Sequence, residues 1–236
     1  MFRSFNVMCV AAFFAAFPAN PPALIAQMSS RETTGMIKGK VTVSRSDGLF
    51  EEMMEARELN RYGDHVHSSV EPQPYGLSEK AVVYILSPVK GVKPAPPAQN
   101  PLLDQKDLMF RPLVLPVVVG TTVDFPNNDE VFHNVFSYSS PSEFDLGRYP
   151  IGKSKKVTFD HAGVVNVYCD IHAYMYATIL VLDNPFYAMP DDDGGYVIPN
   201  VPAGTHQLGF WYGKKMVGSR TVTVKANETT NVNLEY

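Results

Sequence analysis

The stretch "VVNVYCDIHAYMYATILV", residues 164–181, decides how this chain folds. Its flanks, "VVNVY" and "YATILV", are rich in Val, Ile, Thr and Tyr and contain neither Gly nor Pro, the composition of β-strands. Between them Cys169, His172 and Met175 follow one another at three-residue steps. A strand that runs into a thiolate, an imidazole and a thioether presents three soft or borderline metal donors from one tight loop, a set that suits copper with a weak axial sulfur. Taken singly, each has an ordinary reading: a buried cysteine, a satisfied histidine, a core methionine. Their conjunction in one loop points to a metal.

One more imidazole completes the set. "FPNNDEVFHNVFS", residues 125–137, supplies His133 on another strand, after the turn-forming "PNND". A sandwich brings the two loops together at one end of its sheet pair. Asn134, beside His133, is a candidate for tying the ligand loops together by hydrogen bonds, the alternative being an Asn that serves only a turn.

Outward from this region the pattern is a succession of short strands. "DLMFRPLVLPVVVG", "TTVDFP", "VFHNVFSY" and "KKVTFD" precede the ligand stretch, each bounded by Gly, Pro, Asn or Asp, which predicts an all-β sandwich or barrel over residues 102–184. A second series, "GYVIPNV", "THQLGFWY", "RTVTVKA" and "TTNVNLEY", follows Asn184-Pro185 and is too short to close a core alone. "MIKGKVTVS" (36–44) and "AVVYIL" (81–86) would complete it, and the proline-rich "PVKGVKPAPPAQNP" (88–101) reads as an extended linker. The expectation is therefore a second, discontinuous sandwich of residues 36–87 with 186–236, into which 102–184 is inserted. "FEEMMEARELNRY" is the plausible helix, within an insertion over 47–78.

The 236 residues, 45% of them hydrophobic, can bury two packed units. A net charge of −4 with no dense Lys/Arg cluster argues against nucleic acid. Residues 1–26 read as an export signal: Arg3 is the charge, an apolar run too short to span a bilayer follows, and small residues surround Ala23 and Ala26. A retained membrane anchor is the alternative. Export places the mature chain in the periplasm or outside the cell. Cys9 leaves with the signal, so Cys169 has no disulfide partner within the mature chain and is an exposed liability, half of an intermolecular bridge, or a thiolate held by a metal.

The residues now carry a family resemblance. "GTTVDFPNNDEVFHNVFS" and "FDLGRYPIGKSKKVTFDHAGVVNVYCDIHAYMYATILVLD" resemble the cupredoxins over roughly residues 102–184, and the short Cys-x-x-His-x-x-Met loop looks most like amicyanin among the plastocyanin and azurin relatives. The His-Asn pair, the Gly-x-x-x-x-Tyr-Cys approach and the ligand loop stand in the family's order. The resemblance implies a Greek-key β-sandwich with a type 1 copper site, His133, Cys169 and His172 being equatorial ligands and Met175 the long axial one. The wider layout is similar to bacterial methylamine-utilisation-like proteins. "DDDGGYVIPNVPAGTHQLGFWY" resembles the carboxypeptidase regulatory-like (transthyretin-like) sandwich, in which Trp211 packs in the core and no site is implied.

Other residues carry less. "DDDGG" lacks the Asp-x-Asp-x-Asp-Gly spacing of a calcium loop and reads as a solvated turn. His65 and His67 stand in a polar insertion, His161 in a turn and His206 in a strand. Three functions compete. A soluble one-electron carrier with an unidentified redox protein partner uses the whole donor set; copper storage, delivery or sensing would use the same ligands; and a multicopper enzyme would need a His-Cys-His coupling motif, whereas Tyr168 and Asp170 flank Cys169. The sequence therefore predicts a non-enzymatic copper protein, and a zinc site would leave the thioether without use.

Overall fold

The computed structural model describes residues 33–44, 48–59 and 73–236; the export signal at 1–26 and, within the 47–78 insertion, residues 47 and 60–72 with the His65 and His67 pair lie outside them. The elements run in the order β1 (Thr34–Thr42), α1 (Leu49–Leu59), α2 (Leu77–Lys80), β2 (Ala81–Ile85), β3 (Asp104–Lys106), β4 (Met109–Arg111), β5 (Val114–Val118), β6 (Thr121–Pro126), β7 (His133–Ser139), β8 (Ser142–Tyr149), β9 (Ser154–Phe159), β10 (Gly163–Tyr168), β11 (Tyr176–Leu182), β12 (Tyr187–Ala188), β13 (Gly195–Pro202), β14 (Gly204–Tyr212), β15 (Lys215–Val224), β16 (Thr229–Asn231) and β17 (Leu234–Glu235). The fold is all-β.

Alternation decides which side chains turn inward. In β6, Val123 and Phe125 are buried while Thr122 and Asp124 are partly exposed, and in β10 Val165 and Val167 point into the same core. One sheet has the order β5-β11-β10-β7-β8, and β6 pairs with β9 opposite it. Val123, Phe125, Val135, Phe159, Val165, Val167 and Ile179 fill the space between them. β5 lies at the edge, pairing in parallel with β11, which is where Pro116 can sit without breaking a ladder.

The remaining strands form two further sheets. β1 pairs with β13, β16 and β17, while β2 joins β12 and the β14–β15 hairpin. Ile37, Val41, Val83, Ile85, Ile198, Leu208 and Phe210 form the core between these sheets. β2 is buried along its whole length because its two faces serve different cores: Val83 and Ile85 face β1, whereas Val82 and Tyr84 join Trp211, Leu113, Val114, Leu180 and Leu182 in a third cluster. That third cluster glues the β2–β14 sheet to the back of the β5–β11 sheet. β1 and Val232 meet so closely that a Cβ on Gly39 would stand 1.7 Å from the Val232 carbonyl oxygen, and only glycine fits.

Asn184 ties the crossing between the units. Its Nδ2 donates to the carbonyls of Ile85 and Ser87, each at 3.0 Å, and its Oδ1 accepts from the Phe186 amide at 3.0 Å. Among the described residues no helix is long and apolar enough to cross a membrane.

Candidate metal centre

β10 and β11 are adjacent and antiparallel, and their last cross-strand pair is Tyr168 with Tyr176. The loop between those two residues therefore begins with Cys169 and ends with Met175, and the Met175 amide donates to the His172 carbonyl at 2.9 Å to fold it back on itself. His133 opens β7, the strand next to β10 in the same sheet. All four residues are buried, His133 and Met175 completely so.

Three donor atoms converge. His133 Nδ1 and His172 Nδ1 are 3.0 Å apart, and Cys169 Sγ lies 3.9 Å from the former and 3.8 Å from the latter. A first-row metal with bonds of about 2.0 Å to nitrogen and about 2.3 Å to sulfur, opened to about 120°, separates its nitrogen and sulfur donors by roughly 3.7 Å, so the trio fits one ion. Among the described residues these three form the one cluster of His, Cys and acidic side chains compact enough to hold a metal. Met175, at the end of the same loop, packs in the adjoining core.

Hydrogen bonds prepare the donors. The carboxylate of Asp129 has no proton to give, so His133 Nε2 is the donor in the 2.8 Å contact between them, which leaves Nδ1 with its lone pair on the side of Cys169 and His172. Burial pushes the Cys169 thiol up, but hydrogen bonds with His133, His172 and the Asn134 amide outweigh it and bring the thiol down to about 6. The thiolate is the form that ligates metals. Burial likewise works against a charged His133, but Asp129 and Cys169 raise it above its ordinary value, and Asp129 itself, though partly buried, is held low by His133 and by two backbone amides.

Asn134 acts through two different groups. Its backbone N–H donates to Cys169 Sγ at 3.5 Å, linking the His133 strand to the ligand loop, while its side chain turns to β8 and donates to Asp145 Oδ1 at 2.7 Å. His161 stays exposed in its turn and His206 bonds the Pro202 carbonyl, so neither joins the centre. Asp191 and Asp192 cap turns, accepting from the Gly195 amide and from Ser78. Trp211 is buried and donates to the Gly213 carbonyl.

Two features were not visible in the sequence. One is Asp129, which hides within the turn-forming "PNND". The other is where the predicted helix α1 sits: Leu49 and Met53 are buried one turn apart, and Phe50, Met53, Met54 and Arg57 face Leu108, Met109 and Tyr174 across a void of about 10 Å³. The helix therefore rests against the loop that carries the metal donors.

A β-sandwich whose hairpin loop presents Cys, His and Met beside a histidine from a neighbouring strand offers the donor set that suits copper, and copper is its cofactor. Residues 100–182 match the family of copper binding proteins, plastocyanin/azurin family. The match covers the copper-bearing segment and none of β1, β2 or β12 to β17. Similar solved structures include a purple cupredoxin from Nitrosopumilus maritimus, 25% identical, covering 34% of this chain and 96% of that one with a TM-score of 0.31. Another is a Cu-containing nitrite reductase from Thermus scotoductus SA-01, 26% identical over 47% of this chain and 27% of that one, TM-score 0.35. A Cu(I) form of an amicyanin mutant is 21% identical over 44% of this chain and 99% of that one, TM-score 0.34. None of the curated proteins matches the chain.

Proposed function

We propose that this is an exported electron carrier with a type 1 copper site, in which His133, Cys169 and His172 are the equatorial ligands and Met175 the long axial one. The observation that carries the reading is the buried trio of Nδ1, Nδ1 and Sγ atoms at 3.0, 3.8 and 3.9 Å. Bound copper supplies a one-electron couple. The β-sandwich supplies rigidity: His133 is fixed by Asp129 behind it, Cys169 by the Asn134 amide, and the loop by its own His172 to Met175 turn, so the donors hold one arrangement through a change of charge. The three donors are buried, and the role is transfer to and from a soluble redox protein in the periplasm or outside the cell.

The test is the visible spectrum of the purified protein with Cu(II). An intense thiolate-to-copper band is expected. A colourless Cu(II) protein, or one with only weak bands, overturns the type 1 assignment.

We also propose that residues 36–87 and 186–236 make up one unit of the carboxypeptidase regulatory-like kind, with the copper unit inserted at 102–184. The pairing of β1 with β13 and of β2 with β14 supports it.

A further inference from the structure

We infer that Asp129 is a positioning residue of the copper centre, whose negative charge behind His133 holds the reduction potential down while its second face pins the turn that walls the site. The inference rests on the type 1 reading above and concerns a residue outside the ligand set.

The Asp129 side chain is 12% exposed and makes three hydrogen bonds through its carboxylate. Oδ2 accepts from His133 Nε2 at 2.8 Å and from the Leu108 amide at 2.9 Å, and Oδ1 accepts from the Asp107 amide at 2.6 Å. Its own amide donates to Asn127 Oδ1 at 2.9 Å, which fixes the start of the loop. Asp107 and Leu108 are the two central residues of the β3–β4 hairpin, and both are left-handed, with φ of 56° and 58°. A two-residue hairpin of this shape favours Asn-Gly, and a leucine there must be held by something else. Asp129 is what holds it, by receiving both turn amides at once.

The same carboxylate therefore joins two parts of the centre. Through His133 it fixes which nitrogen faces the metal and how the ring is turned; through Leu108 it fixes a buried side chain that faces Tyr174 of the ligand loop. Asn128 strengthens the join, its amide donating to the Gln105 carbonyl and its Nδ2 to Asp104 Oδ1, so the loop before His133 and the β3–β4 hairpin are one block. A carboxylate hydrogen-bonded to a ligating imidazole makes that imidazole a stronger donor. A buried negative charge near the metal also favours the more highly charged oxidised ion over the reduced one. Both effects lower the potential.

The experiment compares the copper-loaded full chain with Asp129→Asn, Asp107→Gly and the double variant, reading the reduction potential and the visible spectrum. In Asp129→Asn one oxygen still accepts from His133, so the intense band is kept, but the charge is gone. The potential is expected to rise by about 59 mV, a tenfold change in the Cu(I) to Cu(II) ratio at fixed ambient potential. Asp107→Gly frees one residue of the turn from its left-handed conformation and removes a partly exposed carboxylate other than the one bonded to His133; with the Asp129 charge still in place, it is expected to shift the potential far less than Asp129→Asn. The double variant supplies the comparison if Asp129→Asn alone does not fold, because glycine accepts the left-handed turn unaided. An unchanged potential on loss of the charge overturns the inference. So does an Asp107→Gly shift as large as that of Asp129→Asn, which would assign the effect to the turn. A native chain without an intense Cu(II) band rejects the type 1 reading instead, and the two failures are told apart by that first spectrum.

Discussion

Replacing one sulfur with oxygen tests the centre at the residue scale. Cys169→Ser is expected to abolish the intense visible band while the far-ultraviolet circular dichroism stays that of the native sandwich, since the strand cores are built from Val, Ile and Phe. Burying a hydroxyl in place of the thiol costs about 1–3 kcal/mol, too little to unfold most domains. A Cys169→Ser protein that stays intensely coloured removes the thiolate from the site. Met175→Leu is expected to keep copper and shift its potential, because an axial thioether is a weak ligand that tunes the couple, and a Met to Leu swap in a core costs less than about 1.5 kcal/mol. Loss of all copper on this change argues against a type 1 geometry; an unchanged potential takes Met175 out of the ligand set. The Cys, His and Met of the loop were legible because their spacing is local. Asp129 was not, since the residues that reveal its role, Asp107 and Leu108, lie 22 and 21 positions upstream and meet it only when the chain has folded.

Elements differ in how plainly they are written. β10 alternates cleanly up to the loop, whereas β11 beyond it is an unbroken buried run whose two faces serve different cores. "DLMFRPLVLPVVVG" reads as a single strand but forms two, β4 and β5, on either side of Pro112. β8 escaped notice because Glu143, Asp145 and Arg148 dilute its apolar face to Phe144, Leu146 and Tyr149, and a half-buried strand near a sheet edge needs no more than that. α1 was predicted from composition, and its seat on the ligand loop was beyond any local pattern. The connection between the sandwiches offers a test at this scale. Asn184→Ala removes three hydrogen bonds at once from a side chain that is 1% exposed, leaving the Phe186 amide and two carbonyls without that partner. The expected loss is about 2–3 kcal/mol, a fall in Tm of about 4–12 °C for a chain of this size, with the copper band unmoved. Calorimetry beside the visible spectrum checks both halves; a bleached band would mean that the crossing supports the metal centre directly.

At the scale of the whole molecule, the insertion proposal predicts how pieces behave. A fragment of residues 102–184 is expected to bind copper and show the intense band, yet to self-associate, because Met109, Leu113, Val114, Leu180 and Leu182 lose the cover that Val82, Tyr84 and Trp211 give them. A fragment of 186–236 is expected to show no cooperative melting until residues 36–87 are supplied. Cooperative unfolding of 186–236 alone would favour two domains in sequence over an insertion. The sequence indicated two β units but not the apolar seam between them, since Val82 and Tyr84 looked like one more buried strand rather than the second face of a shared one. Ser44, at the end of the β1 segment, bonds through its hydroxyl to the Tyr236 carbonyl, 192 positions away, and β1 takes all of its neighbours from β13, β16 and β17. During synthesis β1 is therefore made first and satisfied last: it emerges with both edges bare and stays so until the copper unit and nearly all the chain behind it have been produced. Such long-range closure is slow and exposes unpaired edges meanwhile. The copper unit, whose hairpins close locally, has time to form before its host does.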